Sequence, residues 1–254
     1  MILIVVAACA AAMLLVECVV TGRSWPRVRG WWTRALILNG LQLSIAWCAT
    51  RAWDPWMAGR RPWSADGLGI IGGTLAGYLA IVFIYYWWHR VRHSSHFLWR
   101  VFHQVHHSPA RLEIITSFYK HPLEIFANGL LSSAIAYFLV GLSPEATTYA
   151  VMLTGIAELF YHWNVPTPHW LGYVIQRPES HCVHHQSGLH SYNFGDLPIL
   201  DIMFGTFRNP RDWQASCGFG DKEQLLGPML RCTNVLGEPG SHRRSDSEQA
   251  RPFP

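Results

Sequence analysis

Five long apolar stretches alternate with polar, histidine-bearing segments along the chain, and the alternation predicts a helical membrane protein. Residues 2–20 are almost unbroken in their hydrophobicity, with only Glu17 against the trend; about 20 apolar residues in a helix cross roughly 30 Å of hydrocarbon. No Lys or Arg precedes this run, so the basic flank of a secretion signal is missing and a span is the preferred reading. A second run, from about Ala35 to Ala49, is short and carries Asn39 and Gln42, which makes it marginal. The third, Leu68 to Trp88, is strong. Pro122 opens a fourth that reaches about Val140, Gly141 and Pro144 punctuate a turn, and a fifth continues to about Trp163. From Thr233 onward, Pro, Ser, Glu and Arg recur with few apolar residues, the composition of a disordered tail that includes His242.

The expected architecture is all-α: an integral membrane helical bundle of about four to five spans with a histidine-rich helical cap. Basic residues collect on the cytoplasmic side of membranes. If all five runs span, the loop at 22–34, the segment 89–121 and everything after 163 share one side, which leaves only Arg51, Arg60 and Arg61 of the 20 basic residues on the other. The histidine-rich side is therefore assigned to the cytoplasm. If the second run does not span, the N-terminus changes sides and the histidines do not.

Composition agrees. Half of the 254 residues are apolar and only 14% are Asp, Glu, Lys or Arg, against about 25% in an ordinary soluble domain. The 13 Trp and 9 Tyr suit lipid–water interfaces, and Trp87, Trp88, Trp99, Trp163 and Trp170 are expected to be anchors of this kind. A net charge of +4 with no basic stripe excludes nucleic acid as a partner. The six cysteines form no CxxC pair, which argues against a thiolate zinc site and for a reducing compartment.

Of the 14 His, none precedes His89 and only His242 follows His190. They fall into clusters: His89 and His93 (HRVRH), His103, His106 and His107 (HQVHH), and His181, His184 and His185 (HCVHH). Spacings of three and four place side chains on one helix face a turn apart, and imidazole is the commonest nitrogen ligand of redox-active metals. A straight helix over 89–107 would point the first two clusters the same way but separate their ends by about 27 Å, whereas paired catalytic metals lie roughly 3.5–4 Å apart. The chain must bend near Ser94 to Leu98, with His96 in the bend. Eight histidines, nine with His162, exceed the four that close one tetrahedral zinc, so two metals are expected. Neutral imidazoles leave the metal charge uncompensated, which calls for a hydroxide or oxide, or a carboxylate such as Glu124, Glu158 or Asp196. His121 is expected to support the site, His96 and His190 to support it or lie at the surface, His169 to be structural and Cys182 to pack. Asn193, Gly195, Asp196 and the run Phe204 to Thr206 are expected to order the third cluster.

The motifs YYWWHRVRH at 85–93, LWRVFHQVHHS at 98–108, ITSFYKHPLE at 115–124, YHWNV at 161–165 and HCVHHQSGLHSYNFGD at 181–196 followed by LDIMFGTF at 200–207 resemble the fatty acid hydroxylase superfamily, in particular its bacterial sterol desaturase branch. The resemblance covers roughly residues 70–210. It implies an oxidoreductase of the membrane with two non-haem irons, zinc being a substitute, that uses O2 to hydroxylate or desaturate a lipid. By match to the boxes, the ligands are His89, His93, His103, His106, His107, His181, His184 and His185, with His162 added. The chain departs from many relatives at Val82, Phe83 and Ile84, where they carry an Asp, and at Tyr119 and Lys120, near which others carry an Arg. On this reading residues 1–66 hold the N-terminal spans, 67–215 the catalytic domain and 216–254 a C-terminal extension, in a bacterial inner membrane. No flavin, nicotinamide or haem motif is recognisable, so electrons come from a separate ferredoxin or cytochrome with its reductase. Substrate would arrive from the bilayer, with the hairpin Leu123 to Trp163 lining its path. A membrane zinc hydrolase acting on lipids and a non-catalytic metal-binding membrane protein are the alternatives at this point.

Overall fold

The computed structural model describes residues 2–236, so the greater part of the expected tail, His242 included, lies outside the described residues. Within them the structure is helical, and the one β-type pairing is an isolated bridge between Gln186 and Cys217. In chain order the helices are α1 (Ile2–Val19), α2 (Trp31–Ala49), α3 (Trp53–Ala58), α4 (Gly69–Ser94), α5 (His96–Leu98), α6 (Gln104–His107), α7 (Pro122–Ala134), α8 (Pro144–His162), α9 (Pro178–His184), α10 (Pro198–Met203) and α11 (Leu226–Leu230). A π-helical segment, Trp99–His103, joins α5 to α6, and a second, Ile135–Val140, extends α7.

The boundaries follow from local chemistry. Pro122 and Pro144 sit in the first turns of α7 and α8, where their missing N–H is no loss. His121 Nδ1 accepts from Leu123 N at 3.0 Å, and Ser143 Oγ accepts from Ala146 N at 3.2 Å. Gly141 closes the α7 segment at φ 78°, where an added Cβ would lie 2.6 Å from the Trp63 ring; only glycine fits that turn.

α4 and α8 form the central pair. Gly73 and Gly77 let the backbones approach: a Cβ at Gly73 would lie 3.0 Å from Ala146 Cβ, and one at Gly77 2.5 Å from Leu142 Cδ1 and 3.0 Å from Ala150 Cβ. Small residues at such a seam give close helix packing where lipid removes any hydrophobic gain between helices. Among the described residues two helical segments, Asp66–Ser94 and Pro122–Val140, are long and apolar enough to cross a membrane. Along the first, Ile70, Ile71, Leu75, Leu79 and Phe83 point outward and exposed, as a lipid-facing stripe requires.

Glu17 does more than interrupt an apolar run. Its Oε2 accepts from Ile114 N at 2.9 Å and from Asn164 N at 2.7 Å, tying α1 to two loops of the cap. The polar Asn39 of α2 likewise has work inside the fold, donating to Ile115 O at 2.9 Å and Ala35 O at 2.8 Å. Trp31, Ala35 and Leu38 of α2 pack with Val105, Tyr119, Phe219 and Met229 into a core beneath the cap. The C-terminal extension is folded as far as it is described. Met229 is fully buried, Gln104 Nε2 donates to Thr233 O at 2.9 Å, and Val235 and Leu236 pack on the same core. Thr233–Leu236 therefore belong to the cap rather than to a tail, because Gln104 and that core give them partners.

Candidate metal centre

α4 carries His89 and His93 one turn apart at its end. The helix stops at Ser94: Ser95 is extended (φ −110°, ψ 118°) and its Oγ accepts from Leu98 N at 3.4 Å, starting α5 in a new direction. The reversal falls where the distance argument required it, and His96 opens the returning helix. It brings the His103 ring to 4.8 Å from His89 and the His107 ring to 4.7 Å from His93. In the π-helical segment Gln104 N bonds Trp99 O, a wider turn of the kind found at functional sites. α9 then presents His181 and His184, with His185 at its end, and His162 stands in the last turn of α8.

All nine histidines singled out in the sequence converge, and they do so in two groups. His89, His93, His103, His107 and His184 form the first; His106, His162, His181 and His185 form the second. Within each group one ring nitrogen per residue can be chosen such that all lie within 4.8 Å of one another, so each can hold a metal ion. The groups abut, since the His107 and His185 rings stack at 4.2 Å and 14°. Each HxxHH box divides between them. His103 and His107 enter the first group while His106, between them, enters the second; His181 and His185 enter the second while His184 enters the first.

The environment keeps the imidazoles neutral and their lone pairs free. His103, His106, His107, His181 and His185 are held well below the ordinary histidine range, chiefly by burial and then by charged neighbours or by one another, and burial pushes His184 down to about 3. In the first group, Nε2 of all five histidines is buried without a hydrogen-bond partner among the described residues. In the second, His181 Nε2 lies 3.1 Å from both His162 Nε2 and His185 Nε2. Buried polar atoms are rarely left unmatched, and converging imidazole nitrogens of this kind fit a cation.

The other ring nitrogens explain the aim. His89 Nδ1 meets Phe194 O at 2.8 Å and His184 Nδ1 meets Tyr192 O at 2.8 Å. Gln176 Nε2 donates to Asn193 O at 3.2 Å and lies 2.6 Å from His181 Nδ1. Three consecutive carbonyls, 192 to 194, thus steer histidines of both groups. Asp201 fixes this loop: its Oδ1 accepts from Phe194 N (2.9 Å) and Thr206 Oγ1 (2.7 Å), its Oδ2 from Gly195 N (2.9 Å). Asn193 completes it at φ 55°, with its side chain bonded to Ser180 O, Arg208 O and Arg208 N. His162 Nδ1 bonds Glu158 O at 2.9 Å, and His103 Nδ1 bonds Glu124 Oε1 at 2.9 Å. Arg92 pairs with the same carboxylate oxygen. Such outer partners fix ring orientation and tautomer in metal sites.

Of the carboxylates expected near the metals, Glu124 is held between Arg92 and His103 and so orients a ring, and Glu158 pairs with Lys120. Asp196 is less engaged; burial and the nearby Glu158 push it up to about 7. His121 caps α7 and meets Leu230 O through Nε2 at 3.2 Å, outside both groups. His190 lies against the first group, 5.0 Å from the His107 ring, and His96 is exposed. His169 holds Asn209 O at 3.0 Å, and Cys182 is packed in a core cluster. Trp99 departs from its expected role as an interface anchor, since its ring sits 5.2 Å from His93 and 5.2 Å from His107 and walls the first group. Arg92, Gln176 and Asp201 leave no signal in the residue pattern: Arg92 meets Glu124 from 32 residues away, and Gln176 and Asp201 engage backbone atoms of the 193–195 loop.

With this geometry in place, comparison with known proteins is direct. The pattern of the fatty acid hydroxylase family matches residues 74–206, more than half of the chain and the segment that contains all nine histidines. The chain belongs to the fatty acid hydroxylase family. Among relatives, it is 29% identical over 209 residues to a very-long-chain aldehyde decarbonylase of Oryza sativa subsp. indica, covering 77% of this chain and 32% of that protein. It is 29% identical over 165 residues to human alkylglycerol monooxygenase, covering 61% and 34%. It is 25% identical over 126 residues to a sphinganine C4-monooxygenase of Arabidopsis thaliana, covering 48% of each. The chain thus spans about a third to a half of these relatives' lengths. No solved structure matches it.

Proposed function

We propose that this family member is an integral membrane di-iron oxygenase that hydroxylates or desaturates a lipid with O2. The observation that carries the reading is the convergence of nine histidines, from elements up to 96 residues apart, into adjacent groups of five and four. Four ligands close a structural zinc, so the five of the first group favour a metal of higher coordination. Bound iron supplies the redox capacity to activate O2 and break an unactivated C–H bond, which zinc lacks. The names of two relatives as monooxygenases support the same chemistry.

The chain's own contribution is to hold and to exclude. His89, His93, His103, His107 and His184 would hold one iron, and His106, His162, His181 and His185 the other. Burial keeps these rings deprotonated, and the carbonyls of 192 to 194 with Glu124 keep them aimed. Trp99 and Phe194 shut water from the first group. Substrate arrives from the bilayer. Electrons arrive from a separate ferredoxin or cytochrome with its reductase. We further infer four to five spans, the histidine cap in the cytoplasm of a bacterial cell, the N-terminal spans in 1–66, the catalytic domain in 67–215 and a C-terminal extension in 216–254.

The test is metal analysis of anaerobically purified full-length protein together with lipid profiling of cells with and without it. About two irons per chain and an O2-dependent lipid product are expected, both lost in His106→Ala while the protein stays in the membrane. Stoichiometric zinc with a product formed anaerobically would overturn the reading in favour of a hydrolase.

A further inference from the structure

α10 is an amphipathic helix turned inside out. Its one ionisable side chain, Asp201, is buried and holds Phe194 N and Gly195 N, and Leu200 is buried beside it. Ile199, Ile202 and Met203 stand outward, Met203 at 66% exposure. Residues three and four apart share a helix face, so the outer face of α10 is wholly apolar, the reverse of a helix that borders water. Phe204, next in the chain, is exposed as well. α10 packs on the short helical turn His169–Tyr173, which has the same polarity. There Gly172 is buried where Asn209 leaves no room for a Cβ, and Trp170, Tyr173 and Val174 stand outward, Trp170 at 65% exposure.

This patch continues the lipid-facing side of α4. Ile71, Leu75, Leu79, Phe83, Trp87 and Val91 recur at every fourth position and all are exposed. From the first to the last the helix rises about 30 Å, roughly the thickness of the hydrocarbon layer, so the cap-side boundary of that layer falls at the end of α4 with Trp87 just inside it. The Phe204 ring sits 4.7 Å from Trp87 and 5.5 Å from Tyr86. The outer face of α10 therefore meets the stripe at that depth, and lipid that covers Trp87 reaches Phe204. Charge is confined to the rim. The Arg90 guanidinium lies 5.6 Å from the Trp87 ring and donates to Tyr86 Oη at 3.1 Å, and Arg208 lies 4.2 Å over Tyr192. An aliphatic and aromatic surface edged by arginines matches the boundary between acyl chains and phosphates.

We propose that α10 and residues 169–174 form a shelf lying in the plane of the membrane, its outer face sunk in the cap-side leaflet and covered by phospholipid acyl chains. The shelf gives the cap a hold on the bilayer separate from the spans and fixes its height and tilt. It also makes α10 a helix with lipid on one face and, on the other, the carboxylate that orders the loop behind His89 and His184. The placement needs neither metal nor reaction, so it stands apart from the oxygenase reading.

The test is photocrosslinking of the full chain in phosphatidylcholine vesicles, with p-benzoylphenylalanine placed at position 203, at position 83 on the α4 stripe, or at position 214, an exposed polar site of the cap. Mass spectrometry of the irradiated protein should find phosphatidylcholine adducts at 203 as at 83, and none at 214. Ile199→Glu combined with Ile202→Glu charges the outer face and leaves Leu200 and Asp201 as they are. It should lower the adduct at 203 about tenfold or more, since burying one aliphatic side chain already gains that much, while the spans keep the protein in the membrane. If that variant misfolds, the single probes in the otherwise native chain still decide. Lipid adducts at 83 with none at 203, equal adducts at 203 and 214, or crosslinks from 203 to a second copy of the chain would overturn the proposal. Metal content and O2 dependence, which decide the oxygenase reading, play no part in the result.

Discussion

Replacing Asp201 with Asn leaves every histidine in place and alters only what aims them. In the native loop one buried carboxylate accepts from Phe194 N, Gly195 N and Thr206 Oγ1. An amide keeps one accepting oxygen and turns an NH2 toward at least one backbone N–H, which is then stranded in the interior. A charge-assisted bond contributes about 1.5–3 kcal/mol and a stranded buried donor costs about 1–3 kcal/mol, so the loop loses roughly 3 kcal/mol of local stability. Burial pushes Asp201 up to about 6, so at pH 7.5 the native side chain is still mostly ionised and the loss applies in full. Phe194 O and Tyr192 O hold His89 and His184, and outer-partner substitutions weaken metal binding by about 10–100-fold, which is about 1.4–2.8 kcal/mol. The loop's loss is large enough to account for this even if only half reaches the rings. The assay is chelator competition on anaerobically iron-loaded protein, with iron retained per chain as the readout. Asp201→Asn should release iron at 10–100-fold lower chelator than wild type. Wild-type retention with an unshifted thermal midpoint would refute the carbonyl-clamp account.

Three further outcomes follow from the same structure. Glu124→Gln removes the charge shared by Arg92 and His103 and should also weaken iron retention about 10–100-fold, with Glu124→Asp recovering part of it; equal retention in both would show the contact to be idle. Gly77→Val forces atoms to within 2.5 Å of Leu142 Cδ1 at the α4–α8 seam and should destabilise the protein by about 1–3 kcal/mol, read as a lowered thermal midpoint in detergent. In metal-free protein the cap histidines titrate far below their unfolded value of about 6.5. The unfolded chain therefore binds protons the folded chain refuses, so stability is full above about pH 6.5 and falls as pH drops toward 3. A thermal midpoint that is flat or rises from pH 7.5 to 5 would contradict that sign.

Much of the site was legible because its determinants are local. Imidazoles at spacings of three and four declare a helix face, and the distance between His89 and His107 on a straight helix forces the break that Ser95 makes. What escaped the sequence is what depends on distant partners. Glu17 reads as a blemish in a span until Ile114 and Asn164 are brought to it. Asp201 reads as an ordinary loop acid because its partners are mainly backbone N–H groups, which leave no trace in residue identity. Trp99 reads as an interface anchor because the π-helical turn that swings it against His93 and His107 has no composition of its own. Thr233–Leu236 read as tail for the same reason, since Gln104 and the core beneath α2 lie far away in sequence.

The exchange of middle histidines between boxes makes the two groups interlocked links rather than neighbours. His106 is carried by the box that otherwise builds the first group, and His184 by the box that otherwise builds the second. Neither can be displaced alone: a shift of α6 moves ring nitrogens in both, and so does a shift of α9. A centre that must bring two metals to one small molecule at a fixed separation gains from this arrangement, because the spacing is set by the three-residue step inside each box and not by how two independent lobes happen to dock.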